Sequence, residues 1–174
     1  WVDNAGNKNH DNVLYINYAQ NEGSYLVGYI AAKMSKTGTI GAVGGVDQDT
    51  INDFIVGYEQ GAKKANPDIK VVKNYVGDFE DPANGKECAQ ALHNKGADVI
   101  FAVAGNSGSG VIESGKEDGY FVIGVDSDQK YIAPETIICS MVKNVDKSIY
   151  DVVKDYVKND KFEGNRTWVA DMAT

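Results

Sequence analysis

The stretch that decides the fold is GADVIFAVAGNSGSGVIESGKEDGYFVIGVDSDQ, residues 96–129. It contains an unbroken apolar run, Ala97–Val103, which is typical of a strand in a parallel sheet that helices cover on both faces. A glycine-rich loop follows at residues 105–110, and after a helical stretch a second apolar strand, Phe121–Val125, ends on Asp126. This order of strand, loop, helix, strand and acidic loop predicts half of a doubly wound sheet.

The flanking sequence continues the alternation of strands and helices. Further strands are predicted at Thr39–Val43 and Ile69–Val76, with helices at residues 50–65 and 82–95. Four strands that alternate with helices require right-handed crossovers and a parallel sheet, so we expect an α/β fold. Outside this block, the predicted elements are a strand at residues 12–17, a helix at 22–35, a strand at 136–142, a helix at 146–157 and a strand at 166–171.

The charge of the chain argues against two classes of partner. Its 25 acidic and 17 basic residues give a formal net charge of −8, and the basic residues are scattered. Such a surface favours neither nucleic acid nor an anionic membrane. No apolar run is long enough to span a bilayer. Because the chain opens on Trp1 in a polar stretch, we expect it to be processed or truncated.

The two cysteines, Cys88 and Cys139, lie inside predicted elements and lack a CxxC spacing. A disulfide and a pair of buried free thiols are both compatible with this spacing, and we expect free thiols.

The loops that follow the four strands mark the expected ligand site. In open α/β sheets, ligands bind beyond the carboxyl ends of the strands. There the loops supply main-chain N–H groups, a partly exposed ring at Phe79, an amide at Asn106 and a carboxylate at Asp126. This mixture suits a small polar ligand with a flat or apolar part. The alternative is that the glycine-rich loops serve tight turns only.

No catalytic or metal-binding set is recognisable in the sequence. There is no GxSxG motif or zinc spacing, and the two histidines are far apart. Residues 110–117 match a phosphate loop, except that Glu117 replaces the Ser or Thr that would hold magnesium. Residues 126–128 lack the glycine and distal glutamate of a calcium loop. We therefore expect a binding protein without a cofactor or metal, and not an enzyme.

A series of short motifs carries a resemblance to a known family. The motifs are Glu22–Gly28, Ser35–Gly41, Gly44–Gly45, Gly57–Tyr58, Phe79–Pro82, Ala97–Phe101, Ala104–Gly105 and Ile123–Asp126. In their order and spacing they resemble the basic membrane protein family, which comprises substrate-binding lipoproteins of ABC importers, several of them receptors for purine nucleosides. The resemblance runs from about residue 12 to residue 150.

The resemblance implies a periplasmic-binding-protein-like fold of type I, in which two lobes close around the ligand. Residues 22–134 would then form a nearly complete second lobe, while residues 1–21 and 135–174 would belong to the first lobe and the hinge. The chain would be a fragment of a longer bacterial protein that is extracytoplasmic and anchored to the cell membrane by an N-terminal lipid. Its partners would be a small-molecule ligand, for which the resemblance implies a purine nucleoside, and an ABC permease.

The resemblance also implies a role for individual residues. Phe79 would stack on the nucleobase, since an aromatic face recognises a flat ring. Asp126 would accept hydrogen bonds from the ribose hydroxyls. Lys143 would contact the ligand or hold Asp126, and its alternative is a solvated strand end. Gly105 and Asn106 would meet the ligand through the glycine-rich loop.

Other functions share this architecture. One alternative is the effector-sensing domain of a transcription regulator, which would carry a basic helix-turn-helix headpiece before residue 1. A second is a sugar-binding protein, and a third is a nucleotide- or sugar-processing enzyme, against which the missing catalytic set argues. The importer hypothesis instead requires a signal peptide and a lipid-attachment cysteine upstream.

Overall fold

The chain, in a computed structural model that describes residues 2, 10–159, 162, 164 and 166–170, folds into two parallel sheets with helices packed on them. The strands are β1 Leu14–Tyr18, β2 Thr39–Gly44, β3 Lys70–Tyr75, β4 Val99–Val103, β5 Phe121–Asp126, β6 Ile137–Val142 and β7 Arg166–Ala170. The longer helices are α1 Gln20–Met34, α2 Asp49–Ala65, α3 Pro82–His93, α4 Gly108–Asp118 and α5 Val145–Asn159.

The larger sheet has five parallel strands in the order β3-β2-β4-β5-β6. Its central strand β4 is buried along its whole length, as its apolar sequence predicts. Helices α1 and α2 pack on one face and α3 and α4 on the other. This arrangement confirms the predicted doubly wound α/β fold. Because β2 and β4 are neighbours, the chain reverses its direction of winding there, which is where such sheets bind ligands.

Helix boundaries follow local signals in two places. Asp81 caps α3, since its carboxylate accepts a hydrogen bond from the Asn84 N–H at 3.0 Å, and Pro82 begins the helix. The phosphate-loop-like stretch 110–117 lies entirely within α4. Its backbone N–H groups therefore belong to a regular helix and do not form a loop between a strand and a helix.

Helices α1 and α2 approach each other closely through glycines. Gly28 of α1 and Gly57 and Gly61 of α2 lie against the facing backbone, so that a Cβ on any of them would overlap a carbonyl of the other helix. The carbonyls belong to Tyr58 and Asn21 and, for Gly61, to Tyr25. Only glycine permits this separation of the two helices.

The smaller sheet consists of β1 and β7, paired in parallel. Leu14, Ile16 and Tyr18 of β1 form a small apolar cluster on which Val145 and Val152 of α5 pack. The chain passes from this sheet to the larger one between β1 and α1, and it returns between β6 and α5. The two crossings are joined by a buried hydrogen bond of 2.7 Å between the hydroxyls of Tyr18 and Ser148.

Strand β6 belongs to the larger sheet. It pairs with β5 from Ile137 to Val142, so this sheet continues past Pro134, where the sequence analysis ended the second lobe. Local periodicity predicts the strand but does not indicate which sheet it joins. Within the segments that were assigned to the first lobe, residues 1, 3–9, 160, 161, 163, 165 and 171–174 lie outside the described residues, and so does the last residue of the strand predicted at 166–171.

The two cysteines are free thiols, as predicted, and both are half-buried. Burial raises the pKa of the Cys139 thiol. Burial also raises the pKa of Cys88, and the negative charges of Glu87 and Asp81 act in the same direction. Both thiols are therefore poorer nucleophiles at neutral pH than an exposed cysteine.

A membrane-spanning helix is absent from the part of the chain that the structure describes.

Candidate ligand-binding site

A cavity of about 310 Å³ opens at the carboxyl edge of the larger sheet. Its walls come from the ends of β4 and β5, from the loops after β3, β4 and β6, and from the first two turns of α2. Four of the five residues that the sequence analysis assigned to ligand binding line this cavity together: Phe79, Gly105, Asp126 and Lys143. The other lining residues are Gln48, Thr50, Ile51, Phe54, Val103 and Val125.

The ring of Phe79 lies against the backbone of Gly45, which follows β2. A Cβ on Gly45 would overlap ring carbons Cδ1 and Cε1 of Phe79. On the other side, a Cβ on Gly105 would lie 3.4 Å from the Phe79 Cβ, and Gly105 has a positive φ of 55°. The two glycines thus leave room for the half-buried ring at the cavity wall.

Ser107 holds the loop that carries Phe79. Its side chain is fully buried, and its hydroxyl donates to the Asp78 carbonyl at 3.0 Å and accepts from the Asp81 N–H at 2.9 Å. The Ser107 N–H donates to the Phe79 carbonyl at 2.9 Å. These three hydrogen bonds fix the loop after β3 to the loop after β4, and they thereby fix the backbone at Phe79.

Asp126 occupies a tight turn at the end of β5. Its φ is 65°, and within the described residues every other positive φ belongs to a glycine. The Ser127 N–H donates to the Val125 carbonyl at 2.8 Å, which makes Asp126 the central residue of a strained three-residue turn. Its side chain is 57% exposed, so the carboxylate remains accessible from the cavity.

Lys143 is a buried cation next to this carboxylate. Its side chain is only 3% exposed, and its Nζ lies 4.0 Å from Oδ1 of Asp126. The ammonium also lies 4.5 Å from the centre of the Phe54 ring and 5.4 Å from that of Tyr18. The alternative that Lys143 is a solvated strand end is therefore wrong.

Asn106 does not line the cavity. It is exposed, and its side-chain amide donates to Oε2 of Glu80 at 3.2 Å. Glu80 belongs to the loop that carries Phe79, so this hydrogen bond ties the two loops together outside the cavity. The amide lies at the rim and faces a protein carboxylate.

Several site residues escaped the sequence analysis. Phe54 is 2% exposed and lines the cavity from the second turn of α2. Gly45 leaves room for the ring of Phe79, and Ser107 holds the loop that carries it. The signal for Phe54 is positional, because α2 begins at the carboxyl edge of the sheet and its first turns must face whatever binds there. Nothing local distinguishes Ser107 from an exposed serine in a glycine-rich loop.

The lining residues offer groups that can bind a polar ligand. Asp126 can accept hydrogen bonds, the Lys143 ammonium can donate them, and the rings of Phe79 and Phe54 offer apolar contact. The lining contains neither histidine nor cysteine. In the described part of the chain, no cluster of three or more His, Cys, Asp or Glu side chains could hold a metal ion.

Comparison with known proteins identifies the family. The family described as ABC transporter substrate-binding protein, PnrA-like (Bmp), matches residues 2–174. The chain belongs to this family. It is 48% identical over 158 residues to basic membrane protein D of Borreliella burgdorferi (strain JD1), which covers 90% of the chain and 46% of that relative. This confirms the resemblance inferred from the short motifs.

Solved structures confirm the fold of a periplasmic binding protein. A solute-binding protein of an ABC transporter system from Aeropyrum pernix K1 is 34% identical with a TM-score of 0.87, over 97% of this chain and 50% of that one. A transcriptional activator of the comK gene from Bacillus halodurans is 28% identical with a TM-score of 0.83, over 93% and 55%. The family member described here thus spans about half the length of the proteins it matches.

Proposed function

We propose that this Bmp family member is the ligand-binding part of an ABC importer's substrate-binding protein and that its ligand is a purine nucleoside. The observation that carries the proposal is that Phe79, Asp126 and Lys143, which come from three separate parts of the chain, line one cavity. Membership of the family supports the general role in solute binding. The choice of a nucleoside follows from the resemblance given in the sequence analysis, and the chemistry of these three side chains supports it.

Each side chain matches one part of a nucleoside. The ring of Phe79 stacks on the flat base. The Asp126 carboxylate accepts hydrogen bonds from the two vicinal ribose hydroxyls, and such charge-assisted bonds are stronger than neutral ones. Lys143, whose Nζ lies 4.0 Å from Oδ1 of Asp126, donates to a ligand oxygen. The protein binds and releases its ligand without a chemical step, and it is not an enzyme.

The charges at the cavity favour a neutral ligand. One carboxylate and one ammonium line it, so their charges balance. A nucleotide would bring its phosphate close to Asp126 with one lysine to offset the repulsion. We therefore expect nucleosides to bind more tightly than the corresponding monophosphates.

In the whole protein, the other lobe, which the sequence analysis calls the first, would close over this cavity. An ABC permease would receive the ligand. The protein would act outside the cytoplasm of a bacterial cell and would be held at the membrane by an N-terminal lipid. Family membership and the half-length match to the relatives support this arrangement.

The effector-sensing domain of a transcription regulator remains the competing function, since one such regulator has the same fold. Its identity of 28% lies well below the 48% of the basic membrane protein. A helix-turn-helix encoded upstream would favour the regulator, whereas a signal peptide with a lipid-attachment cysteine would favour the importer.

The decisive test is the substitution Asp126→Ala in the full-length protein. We expect the affinity for adenosine, guanosine or inosine, measured by isothermal titration calorimetry, to fall at least about 100-fold, because each hydrogen bond to a charged group contributes about 1.5–3 kcal/mol. The matched control is Asp68→Ala, since Asp68 is an exposed carboxylate on the turn before β3, and it should leave the affinity unchanged.

Two outcomes would contradict the proposal. Unchanged affinity in Asp126→Ala would remove the assigned role of the carboxylate. Free ribose or another sugar binding as tightly as the nucleosides would show that the base contributes nothing, and it would favour the sugar-binding alternative.

A further inference from the structure

Lys143 lies where the chain crosses between the two sheets. It directly follows β6, and Asn144 separates it from α5. Its N–H donates to the Asp126 carbonyl at 2.9 Å, and its carbonyl accepts from the Val145 N–H at 2.9 Å. One residue therefore contacts the cavity, the end of β5 and the start of the helix of the smaller sheet.

The ammonium of Lys143 is buried, and burial of a charge is costly unless other groups compensate for it. Asp126 supplies one compensating charge at 4.0 Å. Two aromatic faces also attract the ammonium, at 4.5 Å for Phe54 and 5.4 Å for Tyr18, which are distances at which a ring attracts a cation. The position of the ammonium thus depends on two rings as well as on Asp126.

Tyr18 differs from Phe54 because it does not line the cavity. It is the last residue of β1 and is 7% exposed. Its hydroxyl is bonded to the Ser148 hydroxyl at 2.7 Å, and Ser148 in turn donates to the Val145 carbonyl at 2.8 Å. The ring is therefore fixed at its far end by α5, while its face lies on the ammonium.

We propose that Tyr18 is a positioning residue that holds the Lys143 ammonium at the wall of the ligand cavity from outside it. The proposal rests on the proposed function, in which this ammonium contacts a nucleoside. Through Tyr18, the smaller sheet contributes to the binding site although its strands do not line the cavity.

The test compares two replacements at position 18 in the full-length protein. Tyr18→Phe keeps the ring and removes the bond to Ser148, and its nucleoside affinity serves as the reference for the second replacement. A trifluorinated phenylalanine at the same position keeps the shape of the ring but removes most of its attraction for a cation. Relative to Tyr18→Phe, it should weaken binding about threefold to tenfold, since the interaction is worth about 0.5–2 kcal/mol.

A Lys143→Met background separates positioning from a general structural effect. In that background the trifluorinated ring should cost no further affinity, because the cation that it would have held is gone. An equal loss with and without Lys143 would overturn the proposal.

A readout without ligand keeps this test independent of the proposed function. The Cε–Hε signal of Lys143 in a carbon-correlated NMR spectrum, assigned by its loss in Lys143→Met, should differ between Tyr18→Phe and the trifluorinated variant. An identical signal would overturn the positioning role. If the signal responds but none of the nucleosides binds, Tyr18 positions Lys143 and the proposed ligand is wrong.

Discussion

Asp126 combines the site's exposed carboxylate with an unfavourable backbone conformation. A positive φ costs a residue with a side chain about 1–2 kcal/mol, and glycine would adopt the same turn without this cost. The Lys143 N–H bonded to the Asp126 carbonyl and the pairing of β5 with β6 hold the turn in place. If the proposed ligand site is correct, this strain fits a backbone selected for function at the expense of stability.

This strain can be measured with two substitutions that both remove the carboxylate. We expect Asp126→Gly to be more stable than Asp126→Ala by about 1 kcal/mol, because both lose the same charge and only glycine relieves the turn. Chemical denaturation of the two variants gives the difference in the free energy of unfolding. Equal stability would mean that the turn relaxes around alanine and stores no strain.

Single residues were predictable from sequence where their position in the chain is itself the signal. Phe79, Gly105 and Asp126 follow predicted strands, and geometry places such residues at one edge of the sheet. Tyr18 carries no such signal, because its partner Ser148 lies 130 residues away in sequence. Local periodicity contains no information about a contact of this kind.

At the scale of elements, the close approach of α1 and α2 depends on glycines. The two backbones are so close that the facing helix already occupies the space that a side chain at Gly28, Gly57 or Gly61 would need. Since α2 also carries Phe54, the position of this helix determines one wall of the cavity.

We expect Gly61→Ala to destabilise the protein by about 1–3 kcal/mol, because an added methyl group would press on the backbone of α1, which cannot rotate away as a side chain can. Thermal and chemical denaturation report the loss. Gly108→Ala is the matched control, since Gly108 has a helical φ of −62° and an added Cβ would lie 3.6 Å from both the Cβ and the carbonyl oxygen of Ala102, which is ordinary van der Waals contact. A Gly61→Ala variant as stable as this control would show that the helices can separate freely.

The bounds of the helices and strands were largely predictable from the sequence, whereas the strand that each strand pairs with was less predictable. Apolar runs gave the strands of the larger sheet to within two residues, and Asp81 with Pro82 marked the start of α3. The sequence did not place β6 at the edge of the larger sheet, because a strand in which buried, half-buried and exposed residues are mixed fits either sheet. Partner choice depends on tertiary packing that one segment does not encode.

At the scale of the whole molecule, the two crossings between the sheets make a hinge possible. If the proposed function is correct, the radius of gyration of the full-length protein should fall when a nucleoside is added, as the lobes close. A nucleoside at 100 times its Kd should also stabilise the protein by about 2.7 kcal/mol. Small-angle X-ray scattering measures the first effect and thermal denaturation the second.

The variant Asp126→Ala serves as the control for closure, because it should keep the same radius with and without the nucleoside. A wild-type radius that does not change although the nucleoside binds would show that the lobes are already closed in the free protein.

The contacts of Tyr18 bring the two ends of residues 19–143 close together, which would allow this segment to be exchanged between family members. The chain enters the part that contains the larger sheet after Tyr18 and leaves it at Lys143. The Lys143 ammonium lies 5.4 Å from the centre of the Tyr18 ring. Residues 19–143 therefore form a cassette whose two ends lie close together. Inserts with adjacent ends are the ones that hosts tolerate. Exchange of this cassette between family members needs only two junctions, so it would transfer Phe79, Asp126 and Lys143 together as one half of the proposed binding site.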